Sequence, residues 1–94
     1  MKKYFIIVEP EAQVDLESIF KYISQNDSAR KASFFLEELK TQIQTLDSMP
    51  FRCRKSYYTE DQDTYDFIYK GYTIVFKVIH TSVHILTIFR QKNF

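Results

Sequence analysis

The chain has 94 residues, 45% of them hydrophobic and 17% aromatic, enough for one domain spanning 1–94 whose small core would gain much from a partner covering part of its surface. Thirteen basic against twelve acidic side chains leave a formal net charge of +1, which excludes a strong whole-molecule field for gripping an extended polyanion. The lone Cys53 excludes an internal disulfide and a multi-thiolate zinc site and suits the cytosol, and no stretch approaches the roughly 18 to 20 apolar residues of a membrane span.

Met1 to Val8 begins like an export signal, but its apolar run is cut short by Glu9-Pro10, too early to export or span anything. Residues 3–8 instead predict an opening strand, and Pro10 predicts the first position of a helix. In that helix Ala12, Leu16, Ile19, Phe20 and Ile23 recur at spacings of three and four and form one apolar stripe. The pattern breaks near Gln25-Asn26-Asp27. Asp27 or Ser28 then caps a second helix, in which Ala32, Phe35, Leu36, Leu39, Ile43 and Leu46 keep the same period up to Asp47-Ser48. So short a connection predicts an antiparallel helical hairpin.

Beyond Met49-Pro50 the chain is strand-like. Tyr65–Lys70, Tyr72–Ile79 and Val83–Arg90 are rich in aromatic and β-branched residues and are separated by Lys70-Gly71 and His80-Thr81-Ser82. Alternation puts Tyr72, Ile74, Phe76 and Val78 on the core face. If the last turn is the two-residue type centred on Thr81-Ser82, Val83, Ile85, Thr87 and Phe89 join that face and His84, Leu86, Ile88 and Arg90 join Lys77 on the other, whereas a three-residue turn would reverse the last strand. The expected fold is α+β, in the order β-α-α-β-β-β, with the helical hairpin packed on one face of an antiparallel sheet.

The first helix carries Ala12, Asp15-Leu16, Ile19 and Tyr22-Ile23; the second carries Ala32, Phe35, Leu39, Ile43 and Leu46, followed by Pro50. Gly71-Tyr72-Thr73-Ile74-Val75-Phe76 and Ile85-Leu86-Thr87-Ile88-Phe89-Arg90-Gln91-Lys92 follow in order. Over essentially the whole chain these segments resemble the ParE/RelE superfamily of type II toxins, particularly its ParE side: A-x-x-D-L-x-x-I-x-x-Y-I, then G-x-Y-x-I-x-Y with Phe in the last place, then a closing strand with a basic residue at Arg90. The resemblance implies a cytoplasmic toxin, a cognate antitoxin as partner in a hetero-oligomer, and no cofactor, metal or membrane. It implies one of two targets, a protein such as DNA gyrase on the ParE pattern or messenger RNA in the ribosome on the RelE pattern. A member that has lost toxicity and only binds antitoxin is a third reading.

RNA cleavage requires a base for the 2′-hydroxyl, a donor to the leaving oxygen and cations on the phosphate. On the RelE pattern the catalytic candidates are His84 as base or acid, with Arg90 and Lys77 on the phosphate. Arg52, Arg54, Lys55 and Lys92 are candidates for contact with the target or RNA. All must converge on the sheet face away from the helices. A strand His beside a turn is more often a solvated surface residue, and Arg90 can instead pair with Asp66 across the sheet. Cys53, between Arg52 and Arg54, would have a lowered pKa if exposed, but lacks a His partner. The family's frequent Arg ahead of Gly-x-Tyr is replaced here by Thr64-Tyr65-Asp66-Phe67-Ile68. That acidic residue and the near-neutral charge favour the protein-binding pattern.

Overall fold

The computed structural model describes residues 3–90. Strand β1 (Phe5–Val8) leads into helix α1 (Pro10–Asn26), which has Pro at its start, where a missing N–H costs nothing. Helix α2 (Ala29–Gln44) follows; Ser28 caps it by accepting a hydrogen bond from the Lys31 N–H at 3.1 Å. Two short 3₁₀ turns, Thr45–Asp47 and Pro50–Arg52, close the helical half, with Met49 between them in a left-handed conformation at φ 57°.

The remainder is β2 (Arg54–Lys55), β3 (Thr64–Tyr69), β4 (Tyr72–Ile79) and β5 (Ser82–Arg90). The sheet order is β1-β5-β4-β3-β2. Strand β1 runs parallel to β5 and every other pair is antiparallel. The expected α+β order is therefore present, with two additions: a two-residue strand at the far edge and one parallel pair. The parallel pair follows from topology, because the helical hairpin carries the chain across the sheet before the three-stranded meander begins.

One face of the sheet holds the core. Leu16 and Ile19 of α1 and Leu36, Leu39 and Ile43 of α2 pack on Ile74, Phe76, Val83, Ile85 and Ile88. Val83 and Ile85 fall on this face as the alternation predicts. Thr87 and Phe89 do not. The last turn is centred on His80-Thr81, one residue earlier than expected, and a β-bulge opposite Val75/Phe76 adds a residue to β5. Beyond the bulge Thr87 pairs with Val75, Ile88 with Ile74, Phe89 with Thr73 and Arg90 with Tyr72. Every side chain past Leu86 therefore switches face. Ile88 turns into the core, at 3% exposure.

The face away from the helices is covered in part, and a concavity of about 450 Å³ between Tyr58, Asp61, Val75, Lys77, Leu86 and Phe89 stays open on it. Thr64, Asp66, Thr73 and Val75 are all buried there, because the segment 56–63 folds back over them. The Ser56 N–H donates to the Thr64 carbonyl, the Tyr57 N–H to the Asp66 carboxylate at 3.1 Å, and the Tyr58 ring meets Phe89 edge-on at 5.0 Å.

Candidate functional site

The basic residues singled out in the sequence divide between the two faces of the sheet. On the outer face Arg54 pairs in register with Asp66, and Lys77 lies opposite His84. Each is already engaged. The Arg54 Nη2 reaches Asp66 Oδ2 at 3.3 Å and its guanidinium stacks on Tyr57, 3.9 Å from the ring centre. Lys77 Nζ donates to Asp61 Oδ2 at 2.6 Å, and His84 Nδ1 lies 2.7 Å from Glu9 Oε1 at the junction of β1 and α1. The Lys77 hydrogen bond holds the Asp61 carboxyl below the ordinary carboxylate range and raises the Lys77 ammonium in turn.

Arg90 is on the other side. The bulge brings it to the helix-facing surface, where its Nη1 donates to the Tyr22 hydroxyl at 2.7 Å and its guanidinium lies 5.4 Å from the Tyr22 ring centre. The expected convergence of Arg90, His84 and Lys77 on one face is therefore absent, and the physical reason is the extra residue in β5. The alternative pairing of Arg90 with Asp66 is absent too, since Asp66 takes Arg54. Lys55 and Arg52 are at the β2 edge. Lys55 Nζ donates to the Gln62 carbonyl and, at 3.0 Å, to the Tyr65 hydroxyl. Arg52 bonds Thr45 at 3.0 Å and lies over Phe67 at 5.3 Å. Lys92 lies outside the described residues.

The bulge is fixed by a residue whose chemistry the sequence did not expose. The Asp15 Oδ2 of α1 accepts from the Thr87 hydroxyl at 2.7 Å and from the Ile88 N–H at 2.9 Å. A carboxylate one turn before Ile19 thus satisfies backbone on the edge of β5 beyond Ile85, where its pairing with β1 has ended. The only sequence signal for it is the Asp15-Leu16 pair itself, which carries no mark of a strand partner 73 positions on.

Cys53 is half-buried, and burial pushes its thiol up against the lowering pull of Arg52. Cys53 is thus not the exposed thiol for which a lowered value is expected, and desolvation outweighs the neighbouring cation. Among the described residues no cluster of His, Cys, Asp and Glu is arranged to hold a metal ion, and no helix is long and apolar enough to cross a membrane.

A helical hairpin on a meander, closed by a parallel first strand, is the architecture that the resemblance to the ParE/RelE superfamily implies. The family model described as the ParE toxin of the type II toxin–antitoxin system parDE matches residues 6–93, and the chain belongs to this family. Two solved structures have the same fold. The chromosomal ParDE toxin–antitoxin system from P. aeruginosa aligns with a TM-score of 0.83 at 16% identity, covering 96% of this chain and 98% of that one. The RelBE2 toxin–antitoxin complex from Mycobacterium tuberculosis aligns with a TM-score of 0.71 at 20% identity, covering 99% and 97%. A comparison with curated protein sequences finds no match.

Proposed function

We propose that this protein acts in the cytoplasm as a ParE-like toxin, blocking a bacterial protein such as DNA gyrase by binding it, and is held inactive by a cognate antitoxin. One observation carries the choice of a protein target over messenger RNA. Phosphoryl cleavage needs base, acid and cations within reach of one phosphate, whereas Arg90 stands on one side of the sheet and Lys77 and His84 on the other. Lys77 and His84 are further occupied by Asp61 and Glu9. A phosphate arriving at the outer face would have to displace both carboxylates to reach Lys77 and His84.

The test uses the purified protein in two assays. In the first, gyrase supercoiling of relaxed plasmid should fall as the protein is added and recover on addition of antitoxin. In the second, a translating extract should show no new messenger RNA ends by primer extension. New ends that vanish with Arg90→Ala would replace this reading with ribosome-dependent cleavage; new ends that persist in Arg90→Ala would place the cleaving residues elsewhere. Normal supercoiling and intact messenger RNA, with antitoxin still bound, would identify a non-toxic homologue.

A further inference from the structure

A notch of about 350 Å³ opens between the C-terminal half of α1 and the ends of β4 and β5. Its walls are Ile19, Tyr22, Tyr72 and Ile88, with Ser18 on its helix side and Arg90 at its rim. Asp15, an acidic group that lines it, is already used by Thr87 and Ile88. Arg90 is not so used. A guanidinium has five N–H donors, and this one meets the Tyr22 hydroxyl; among the described residues no carboxylate reaches it. Arg54, Lys70 and Lys77, by contrast, each meet an Asp or Glu. The larger groove between α1 and α2 differs in chemistry, since Glu17, Glu37 and Lys40 line it with both signs of charge.

An apolar concavity beside one uncompensated, exposed guanidinium complements a segment that carries an apolar side chain and a carboxylate close together. We propose that this notch seats such an anchor from the antitoxin, a Leu- or Phe-sized side chain entering between Tyr22 and Ile88 while an Asp or Glu within one helical turn of it pairs with Arg90. The inference rests on membership of the toxin family and adds the place and chemistry of the contact. Tyr22 positions the arginine, because its hydroxyl holds one end of the guanidinium and leaves the other donors without an acceptor among the described residues.

The probe is the antitoxin translated from the reading frame adjoining the toxin gene, titrated onto the full chain by calorimetry. Ser18 is exposed on α1, so Ser18→Trp should fill the notch without disturbing the core, and Arg90→Glu should reverse the charge at its rim. Each is expected to weaken binding by about tenfold or more, as loss of an interface anchor does. Arg30→Glu, an equal charge change on exposed α2, should leave Kd unchanged, which separates local pairing from long-range steering. Replacing the antitoxin's acidic residues by Lys one at a time should yield one variant that recovers affinity for Arg90→Glu.

Each outcome has one meaning, with circular dichroism verifying that every variant is folded. If the antitoxin binds the wild type and both notch variants equally well, the notch proposal is overturned while the toxin reading stands. If both variants weaken binding but no acidic-to-Lys change recovers Arg90→Glu, the carboxylate anchor is overturned. If the wild type does not bind the antitoxin at all, the toxin–antitoxin reading fails first.

Discussion

Asp66 lies in the stretch ahead of Gly71-Tyr72 where the resemblance leads to the expectation of an arginine, and its side chain has no exposed surface at all. A buried carboxylate survives only when it is paired and hydrogen-bonded. Here Oδ2 takes both the Arg54 guanidinium and the Tyr57 N–H, while Oδ1 accepts nothing from the described residues. Arg54→Met therefore removes the one cation that compensates it and is expected to cost about 3 kcal/mol, the usual scale for breaking a buried pair from one side. Urea denaturation should show this as a lower midpoint with an unchanged slope. A loss below about 0.5 kcal/mol would mean that water reaches the Asp66 carboxylate and compensates it instead.

Two exposed pairs at the same scale set a pH window. The Lys70 hydrogen bond holds Glu38 below its ordinary 4.5, the Lys77 bond holds Asp61 below 3.8, and both lysines rise above 10.5. A lowered carboxylate stabilises the fold fully above its unfolded value and stops doing so as pH falls through the folded one. A raised ammonium stabilises it fully below its unfolded value and stops doing so as pH rises through the folded one. The two pairs together are at full strength between 4.5 and 10.5. Lys77→Met should flatten part of the decline in Tm below pH 3.8, and about 0.5 M salt should flatten it further by screening. An acid limb identical to that of the wild type would mean that the Lys77–Asp61 contact does not persist in solution.

Among the elements, the bulge in β5 decides what the molecule presents on each side. Helix periods were legible because Ala12, Leu16 and Ile19, and Ala32, Leu36, Leu39 and Ile43, repeat an apolar stripe that has no other use, and each of these is buried. Phe20, on the same predicted stripe, is 37% exposed and sits at the hairpin's outer groove, which periodicity alone does not distinguish from the core. Strand β4 was legible for the same reason as the helices. Strand β5 was legible only up to Ile85. An inserted residue leaves the alternation Thr87-Ile88-Phe89-Arg90 equally plausible in either phase, and the arbiter, Asp15, is remote in sequence. Strand β2, with only Arg54 and Lys55, is too short to have a pattern.

If Asp15 fixes the bulge, Asp15→Ala leaves the Ile88 N–H unpaired near the core, a loss of about 1–3 kcal/mol. The Ile88 amide should then exchange with solvent much faster than those of Ile74 and Phe76 on the neighbouring strand. Asp15→Asn, which keeps one acceptor oxygen, should recover part of the loss. Equal exchange at Ile88 in wild type and Asp15→Ala would show that the bulge holds itself, and that Asp15 is incidental to the placement of Arg90.

For the molecule as a whole, the helical hairpin covers one face of the sheet and the segment 56–63 part of the other, and apolar side chains also stay open along the rim. Phe5 is 71% exposed on β1, Met49 67% and Phe51 55% beside the 3₁₀ turns, and Tyr22 48% at the Arg90 notch. That much apolar surface on a domain of 94 residues is costly to leave in water, at roughly 25 cal/mol per Å². A partner that binds only the folded chain adds RT ln(1 + [L]/Kd) to its stability, about 2.7 kcal/mol at a hundred times Kd. For a domain of this size that corresponds to a rise in Tm on the order of 10–20 °C. Saturating antitoxin should produce such a rise, and Ser18→Trp should reduce it in step with its weaker Kd. A complex that melts at the temperature of the free toxin would mean that the antitoxin stabilises the unfolded chain as much as the folded one, and that the exposed rim is stable without cover.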